Sequence, residues 1–229
     1  MLLKMKRNWL LIVLTSLFLT GLFPFTAFSE ETTKTLYLNS YDKDCNDKIV
    51  CSLNDDSIDI IKIIFKDILD TDRLNSTVNN DVSLSAITTK TRYAKNRRSS
   101  GQYNGTNCLK FVEGDPDVTI SISRSFSVSN SYSCNYSVSS SSISSAVGFS
   151  VTSSSSINVS GSWKVPKKVK KGRLSVYPVY QKYTYDVYEK TSRGGVVINN
   201  KKLGNGTASK CVGYYFTKKR TSIVKTDIK

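Results

Sequence analysis

The stretch VTISISRSFSVSNSYSCNYSV, residues 118–138, alternates between two kinds of side chain. Every odd position from Thr119 to Ser137 holds Thr, Ser or Asn, and nine of the eleven even positions are apolar or aromatic. Because successive side chains of a strand point to opposite faces, this period of two predicts a β-strand with one apolar and one polar face. The pattern is much longer than an ordinary strand of five or six residues.

The parity of the alternation reverses after the serine run of residues 139–142. From Ile143 to Val165 the apolar residues hold odd positions, and Ser, Thr, Asn, Ala and Gly hold most even ones. A two-residue loop at Ser140 and Ser141 would pair even residues with odd ones, so both apolar sets would share one face of an antiparallel hairpin. The pairs expected from that loop are Val138 with Ile143, Cys134 with Val147, Tyr132 with Phe149, and Ile122 with Val159.

The hairpin composition is unusual for strands that face water. Arg124 is the one charged residue between Val118 and Trp163. A cation costs about 2–4 kcal/mol at the middle of a bilayer, whereas small hydroxyls can line a water-filled barrel. The cleanest apolar stretches also approach the length that a tilted strand needs to cross a bilayer, roughly 9–11 residues. This predicts a membrane-insertion hairpin whose candidate lipid-facing residues are Phe126, Val128, Tyr132, Cys134, Tyr136, Val138, Ile143, Val147, Phe149 and Val151.

Two other interpretations fit the same alternation. Long strands with one face packed on a second sheet, in a protein that does not lyse membranes, would carry the same pattern. A serine-rich segment of low complexity could also act as a linker, although strict parity is not expected of a linker.

A serine- and threonine-rich amphipathic hairpin set among long strands resembles the β-pore-forming proteins of the aerolysin and epsilon-toxin type. The resemblance is one of pattern and covers residues 118–188. It implies secretion as a soluble monomer, assembly into a homo-oligomer on a membrane, and a barrel built from one hairpin per subunit. The chain departs from that pattern in its short length, in the lack of an obvious receptor-binding module, and in having Cys134 inside the hairpin.

Residues 1–29 have the three zones of a secretory signal peptide. Lys4, Lys6 and Arg7 precede an uncharged apolar stretch, and Ala27 and Ser29 supply small residues before Glu30. A transmembrane anchor is the rival interpretation, since the apolar zone is about long enough to span a bilayer. We expect cleavage and a secreted mature protein.

Charge is distributed unevenly along the remaining chain. Residues 30–117 carry 12 basic and 15 acidic side chains, whereas residues 118–229 carry 18 basic and 3 acidic ones. A basic half on an exported protein favours an anionic membrane or cell-wall surface as partner, and nucleic acid is not expected there. The candidate anionic-surface residues directly follow the hairpin, and a solvated linker is the alternative for them: Lys164, Lys167, Lys168, Lys170, Lys171 and Arg173.

The other segments predict a mainly β fold: an elongated antiparallel sheet with a long amphipathic hairpin and one short N-terminal helix. The helix is placed at residues 58–69 because four apolar side chains recur there at helical spacing after Asp55-Asp56-Ser57, although the isoleucine density leaves a strand possible. Residues 95–107 are expected to be a polar loop, and Gly194-Gly195 a turn. The regions are 30–117 (α+β), 118–165 (hairpin) and 166–229 (basic, β).

Five cysteines follow the predicted signal peptide, and export would permit disulfides. An odd number leaves at least one thiol unpaired. Cys45 with Cys51 and Cys108 with Cys211 are the pairs that spacing and neighbouring turns suggest, although sequence alone does not decide connectivity.

The chain contains no histidine, which removes Ser-His-Asp and Cys-His catalysis and histidine-ligated zinc. Residues 42–46 copy the start of a calcium loop, but Asp47 and Leu53 stand where that loop needs Gly and Glu. We therefore expect no enzyme activity, no metal site and no cofactor.

Overall fold

The computed structural model describes residues 31–42, 44–70 and 88–222. The predicted signal peptide lies outside these residues, and the described residues from Thr32 onward belong to one compact unit. The described part is mainly β and contains three helices and nine strands. In chain order they are β1 (Thr33–Leu38), α1 (Cys45–Leu53), β2 (Ile60–Phe65), α2 (Lys66–Asp70), β3 (Thr88–Asn104), β4 (Lys110–Gly114), β5 (Thr119–Ser129), β6 (Ser131–Ser133), α3 (Ser140–Val147), β7 (Ser154–Lys164), β8 (Val169–Arg193) and β9 (Val196–Ser222).

Two long strands, β8 and β9, form the centre of a seven-stranded sheet in the order β1-β2-β9-β8-β3. They pair antiparallel almost throughout, from Val169 opposite Ser222 to Arg193 opposite Val196. On the side away from β9, β8 pairs with β4 near its N-terminal end and with β3 over the rest of its length. On the side away from β8, β9 pairs with β2 and β6. β5 and β7 form a separate two-stranded sheet.

The first hydrophobic core lies where the β5–β7 sheet and α1 pack against one end of the long sheet. Trp163, Leu174, Phe216 and Leu53 have no exposed surface there. The apolar face predicted for the serine-rich arms supplies Ile120, Ile122, Ile157 and Val159 to this core, and the serines face outward. The mainly β class and the shared apolar face are therefore confirmed.

The pairing of β5 with β7 differs from the predicted hairpin by two residues. Ile122 lies opposite Gly161, and Arg124 lies opposite Val159. A shift of two residues preserves the face of every side chain, so the apolar pattern could not exclude it. Gly161 lets β7 pack closely on the first core, because a Cβ at this position would lie 2.7 Å from Leu53 and 2.8 Å from Phe216.

The helix predicted at residues 58–69 is wrong over most of its length. Ile60–Phe65 forms strand β2, and only Lys66–Asp70 is helical. β2 is central, lies between β1 and β9, and buries Ile61, Ile63 and Ile64 completely. A strand buried on both faces reads as a continuous apolar run, which imitates a helical stripe. The longer of the two helices described within residues 31–70 is α1, which buries Ile49 and Leu53.

Two further expectations need correction. Residues 95–104, predicted as loop, continue β3 with register shifts after Lys95 and Ser99. β1 pairs with β2 in parallel, so the sheet is antiparallel except at this edge. The turn at Gly194-Gly195 is confirmed, and both residues have positive φ, +53° and +78°, as a tight two-residue hairpin turn requires.

Candidate functional site: a docked serine-rich segment

The middle of the predicted hairpin is folded back onto the long sheet. We call residues 130–153, which connect β5 to β7, the docked segment. Asn130 closes its base: the backbone N–H of Asn130 donates to Ser153 O (3.0 Å), and its side-chain amide donates to Ser150 O (2.9 Å). The predicted two-residue loop at Ser140 and Ser141 is therefore wrong, because these residues begin helix α3.

Only three residues of the docked segment are in a strand. Ser131–Ser133 forms β6 and pairs with Thr207–Ser209 of β9. α3 follows, with Ser139 as its N-cap: the Ser139 hydroxyl accepts from the N–H of Ser142 (3.2 Å). Gly148 ends the helix in the left-handed conformation, with a φ of +82°. The helix formed by the serine run is thus capped at both ends.

The docked segment has its own hydrophobic core, separate from the first. Ile143, Val147 and Val151 are at most 1% exposed and pack against Tyr185, Val187 and Ala208 of the long sheet. The partly buried residues that complete this second core are Cys134, Tyr136, Val138, Phe149, Ala94 and Leu203. Seven of the ten predicted lipid-facing residues are therefore brought together here, on the body of the protein.

The other three predicted lipid-facing residues lie elsewhere. Phe126 and Val128 are on β5 and belong to the first core. Tyr132 lies on β6 and is 45% exposed. In this state the ten residues do not form one continuous apolar face.

Hydrogen bonds from the long sheet hold α3 at both of its ends. The N–H of Ala94 on β3 donates to Ser142 Oγ (3.1 Å), and Arg97 Nη1 donates to the carbonyl oxygen of Val147 (2.7 Å). A cation at the last carbonyls of a helix is favourable because the helix dipole is negative there. The Tyr136 hydroxyl adds a third contact by donating to Leu203 O (2.6 Å).

A β-bulge in β3 aims Arg97 at α3. Two residues, Asn96 and Arg97, oppose one residue of β8, and Asn96 adopts a left-handed φ of +59°. Arg98 then points to Asp186, which is 4% exposed and also pairs with Lys202. Hydrogen bonds from Arg98 and Lys202 hold the pKa of Asp186 far below its usual range. This ion-pair cluster anchors the bulge.

Aromatic contacts complete the docking surface. Phe149 lies 5.7 Å from Tyr183 between ring centroids, and the Arg97 guanidinium sits 4.9 Å from the Tyr183 ring. Tyr185 lies beneath the segment with no exposed surface. Burial, and secondarily the neighbouring Cys134 thiol, raises the pKa of Tyr185 well above its usual value. Sequence reasoning missed Arg97 because it assigned residues 95–107 to a loop.

The predicted basic run lies at the β7–β8 connection, and four of its six cations are paired. Lys164 and Lys167 contact Asp117 at 2.8 and 3.5 Å. Lys171 and Arg173 contact Glu113 at 3.1 and 3.9 Å. Lys168 and Lys170 are exposed. These pairs neutralise part of the charge that the sequence pattern offered to an anionic surface.

Neither predicted disulfide is present, and all five cysteines are free. Cys45 and Cys51 lie six residues apart on α1, about 9 Å along its axis, which is beyond the roughly 7 Å that a bridge tolerates. Cys108 is exposed, whereas Cys211 is buried in the first core, where burial raises its pKa to about 11.

A shallow cleft of about 510 Å³ borders the docked segment at β6. Tyr103, Tyr132 and Lys182 line it together with Ser131, Ser133, Thr207 and Ser209. In the described ranges no three His, Cys, Asp or Glu side chains come close enough to hold a metal ion. No helix in those ranges is long and apolar enough to cross a membrane.

No family model matches this chain, and no curated protein matches it. Among solved structures it is similar to a chain from Bacteroides vulgatus described as a "putative pore-forming toxin", at 14% identity and a TM-score of 0.20. The match covers 61% of this chain and 56% of the Bacteroides chain, so this chain spans little more than half of that protein. Two chains this dissimilar need not share a fold, and the function has to be inferred from the residues themselves.

Proposed function

We propose that this chain is a secreted, membrane-active protein in which the docked segment leaves the long sheet and inserts into a bilayer as part of a β-hairpin pore. One observation carries the proposal: the two halves of residues 131–151 keep a strand-like alternation that the present fold hardly uses. Even positions from Tyr132 to Val138 are all apolar or aromatic, and four of the five odd positions from Ile143 to Val151 are apolar, Ser145 being the exception, yet only Ser131–Ser133 forms a strand.

The helix in the docked segment conflicts with its own sequence. Five of the eight residues of α3 are serine, which is a weak helix former because its hydroxyl competes for backbone hydrogen bonds. Such a disagreement between local preference and global fold is expected where a segment has a second conformation. The second conformation that alternation favours is an extended hairpin.

Composition also fits passage through lipid. Residues 130–153 contain no charged side chain, so no ionic group would have to cross the apolar layer. In a closed barrel formed by several copies, the serines would face the aqueous lumen and the second-core residues would face lipid. β5 and β7 already hold the base of this hairpin in antiparallel pairing, with both apolar sets on one face.

The experiment is a lock on the docked segment. The Ala94 N–H contacts Ser142 Oγ at 3.1 Å, so the pair Ala94→Cys with Ser142→Cys brings two thiols close together, once the five native cysteines are replaced by Ser or Ala. The oxidised protein should release no dye from vesicles that contain anionic lipid, and reduction should restore release. The two single-cysteine variants are the controls. Equal leakage from oxidised and reduced protein would refute release of the segment.

A second readout reports which face meets lipid. After vesicle treatment, an environment-sensitive dye on a cysteine at Val147 or Phe149 should report lipid, and the same dye at Ser150 or Ser154 should report water. Dyes whose signals do not change on membrane addition would show that the apolar face stays packed on the sheet.

The cleft beside β6 supports a second candidate, a non-lytic module that binds glycan or cell-wall polymer. Tyr103 and Tyr132 are 40% and 45% exposed, and tyrosine rings with neighbouring hydroxyls and a lysine suit an anionic sugar. Sedimentation with purified cell wall, without dye release from any vesicle, would favour this module over the pore.

A further inference from the structure

The far end of the β8–β9 hairpin exposes three consecutive aliphatic side chains. Val196, Val197 and Ile198 follow the Gly194-Gly195 turn and are 66%, 48% and 59% exposed. Because neighbouring residues of a strand point to opposite faces, β9 presents apolar surface on both faces at this point. Single exposed aliphatics are ordinary, but a contiguous exposed apolar patch marks an interaction site.

Cations surround this apolar patch on all three strands of the sheet end. We call residues 88–92, 189–193 and 196–201 the hairpin tip. Register places Thr88 opposite Arg193, and Lys201 opposite Glu189. The tip has five cations and one acid, Glu189, which pairs with Arg92 at 3.1 Å, so its net charge is +4. The five cations are Lys90, Arg92, Lys190, Arg193 and Lys201.

We propose that the hairpin tip is the membrane anchor: Val196, Val197 and Ile198 enter the interfacial layer of a bilayer, and the surrounding cations contact anionic headgroups. The inference deepens the proposed function and rests on it for its biological purpose. The aliphatic residues would contact the acyl-chain boundary of the bilayer, and the cations around them would contact the anionic headgroups. A second copy of the tip pairing through the edge of β9 that no described strand covers would instead bring two charges of +4 together.

Anchoring at the tip would place the docked segment within reach of the bilayer. α3 contacts the sheet at the level of Ala94 and Val187, about six residues or roughly 20 Å from Arg193. Extension would start at Ser131, which pairs with Ser209 beside Lys182, about eleven residues or roughly 36 Å from Arg193. Each half of the 24-residue docked segment spans about 40 Å when extended, so the end of the extended hairpin would just reach the membrane surface at the tip. With the tip bound, the second core would therefore lie near the membrane surface without contacting it.

The tip also replaces the basic run as the anionic-surface site. β8 runs from Val169, beside that run, to Arg193 at the tip, and its 25 residues span about 80 Å. When the hairpin tip is bound to a membrane, Lys167, Lys168, Lys170 and Lys171 lie much farther from the membrane surface than the Debye length of about 8 Å. Mutations at the hairpin tip should therefore weaken vesicle binding, whereas mutations in the basic run should not.

The test is sedimentation with vesicles of phosphatidylcholine containing phosphatidylserine, in the locked, oxidised background that cannot release the docked segment. The triple change Val196→Thr, Val197→Thr and Ile198→Thr keeps β-branching while removing apolar surface, and should weaken vesicle binding by about tenfold or more. The control replaces the four lysines 167, 168, 170 and 171 by Gln and should bind within about twofold of the parent. Raising salt should weaken parent and control alike.

The outcomes separate the anchor from the pore. If vesicle binding depends on the tip but the reduced protein releases no dye, the pore proposal is refuted and the membrane-anchor proposal stands. Unchanged binding by the threonine triple, or loss of binding only in the glutamine control, would overturn the anchor whatever the leakage. A concentration-dependent dimer that the triple abolishes, with vesicle binding unchanged, would assign the tip to a second copy and also overturn it.

Discussion

Lys218 shows how one buried cation joins two parts of the first core. Its side chain is 4% exposed, and its Nζ donates to the carbonyl oxygens of Leu53 (2.9 Å) and Asp55 (2.6 Å) at the end of α1. Burial, with a smaller contribution from Arg220, lowers the pKa of Lys218 to about 8. The ammonium thus caps a helix, at the cost of its own desolvation.

The lowered pKa of Lys218 predicts a pH dependence of stability. Between pH 8 and its usual pKa of 10.5, Lys218 holds fewer protons in the folded chain than in the unfolded one, so its contribution to stability rises with pH. The free energy of unfolding of the wild type should rise relative to Lys218→Met by up to about 1.4 kcal/mol per pH unit in this window. Urea titrations at pH 7, 8, 9 and 10 measure it.

Lys219→Met is the matched control for this measurement, because Lys219 is the exposed neighbour on the same strand. Both substitutions remove one lysine from the same strand, so comparing the two variants isolates the effect of burying Lys218. A pH-independent difference for Lys218→Met would contradict the lowered pKa.

At the scale of elements, α3 is the part whose stability should control function. Ser141 and Ser145 lie on its exposed face. Alanine is about 0.5 kcal/mol more favourable than serine in a helix, and Ser141→Ala also loses the hydrogen bond from Ser141 Oγ to Ser139 Oγ (3.1 Å), so Ser141→Ala with Ser145→Ala should stabilise the docked state by up to about 1 kcal/mol. We expect dye release to slow by up to roughly fivefold and amide-exchange protection to increase across residues 140–147.

The glycine pair at the same two positions tests the direction of this effect. Ser141→Gly with Ser145→Gly weakens the helix, so it should accelerate release and lower protection. If both pairs slowed release equally, the serine hydroxyls would matter in the inserted state, and helix stability would not be the controlling quantity.

For the whole molecule, the proposal of a secreted protein makes a prediction about processing. Protein from culture supernatant should have the intact mass of a chain that begins at or near Glu30. Ala27→Leu removes a small residue that signal peptidase requires and should leave the precursor uncut in the membrane fraction. An intact Met1 on soluble exported protein would contradict this proposal.

The sequence alone determined which residues of β5 and β7 share a face. Parity is a local property, because side chains alternate along any strand. It therefore predicted the buried face of β5 and β7 correctly and did not depend on what they pack against. The mainly β class follows from the same local signals.

Only the tertiary structure decided the close packing of β7 at Gly161, the identity of β2 and the folding back of residues 130–153. Each depends on distant groups: Leu53 and Phe216 at Gly161, β1 and β9 beside β2, and Arg97 at the end of α3. The spacing of apolar and polar residues along the sequence is the same whether or not a strand pairs two residues out of register, is buried on both faces, or gives way to a capped serine helix. Contacts made across the chain therefore select one state among those that the sequence pattern permits.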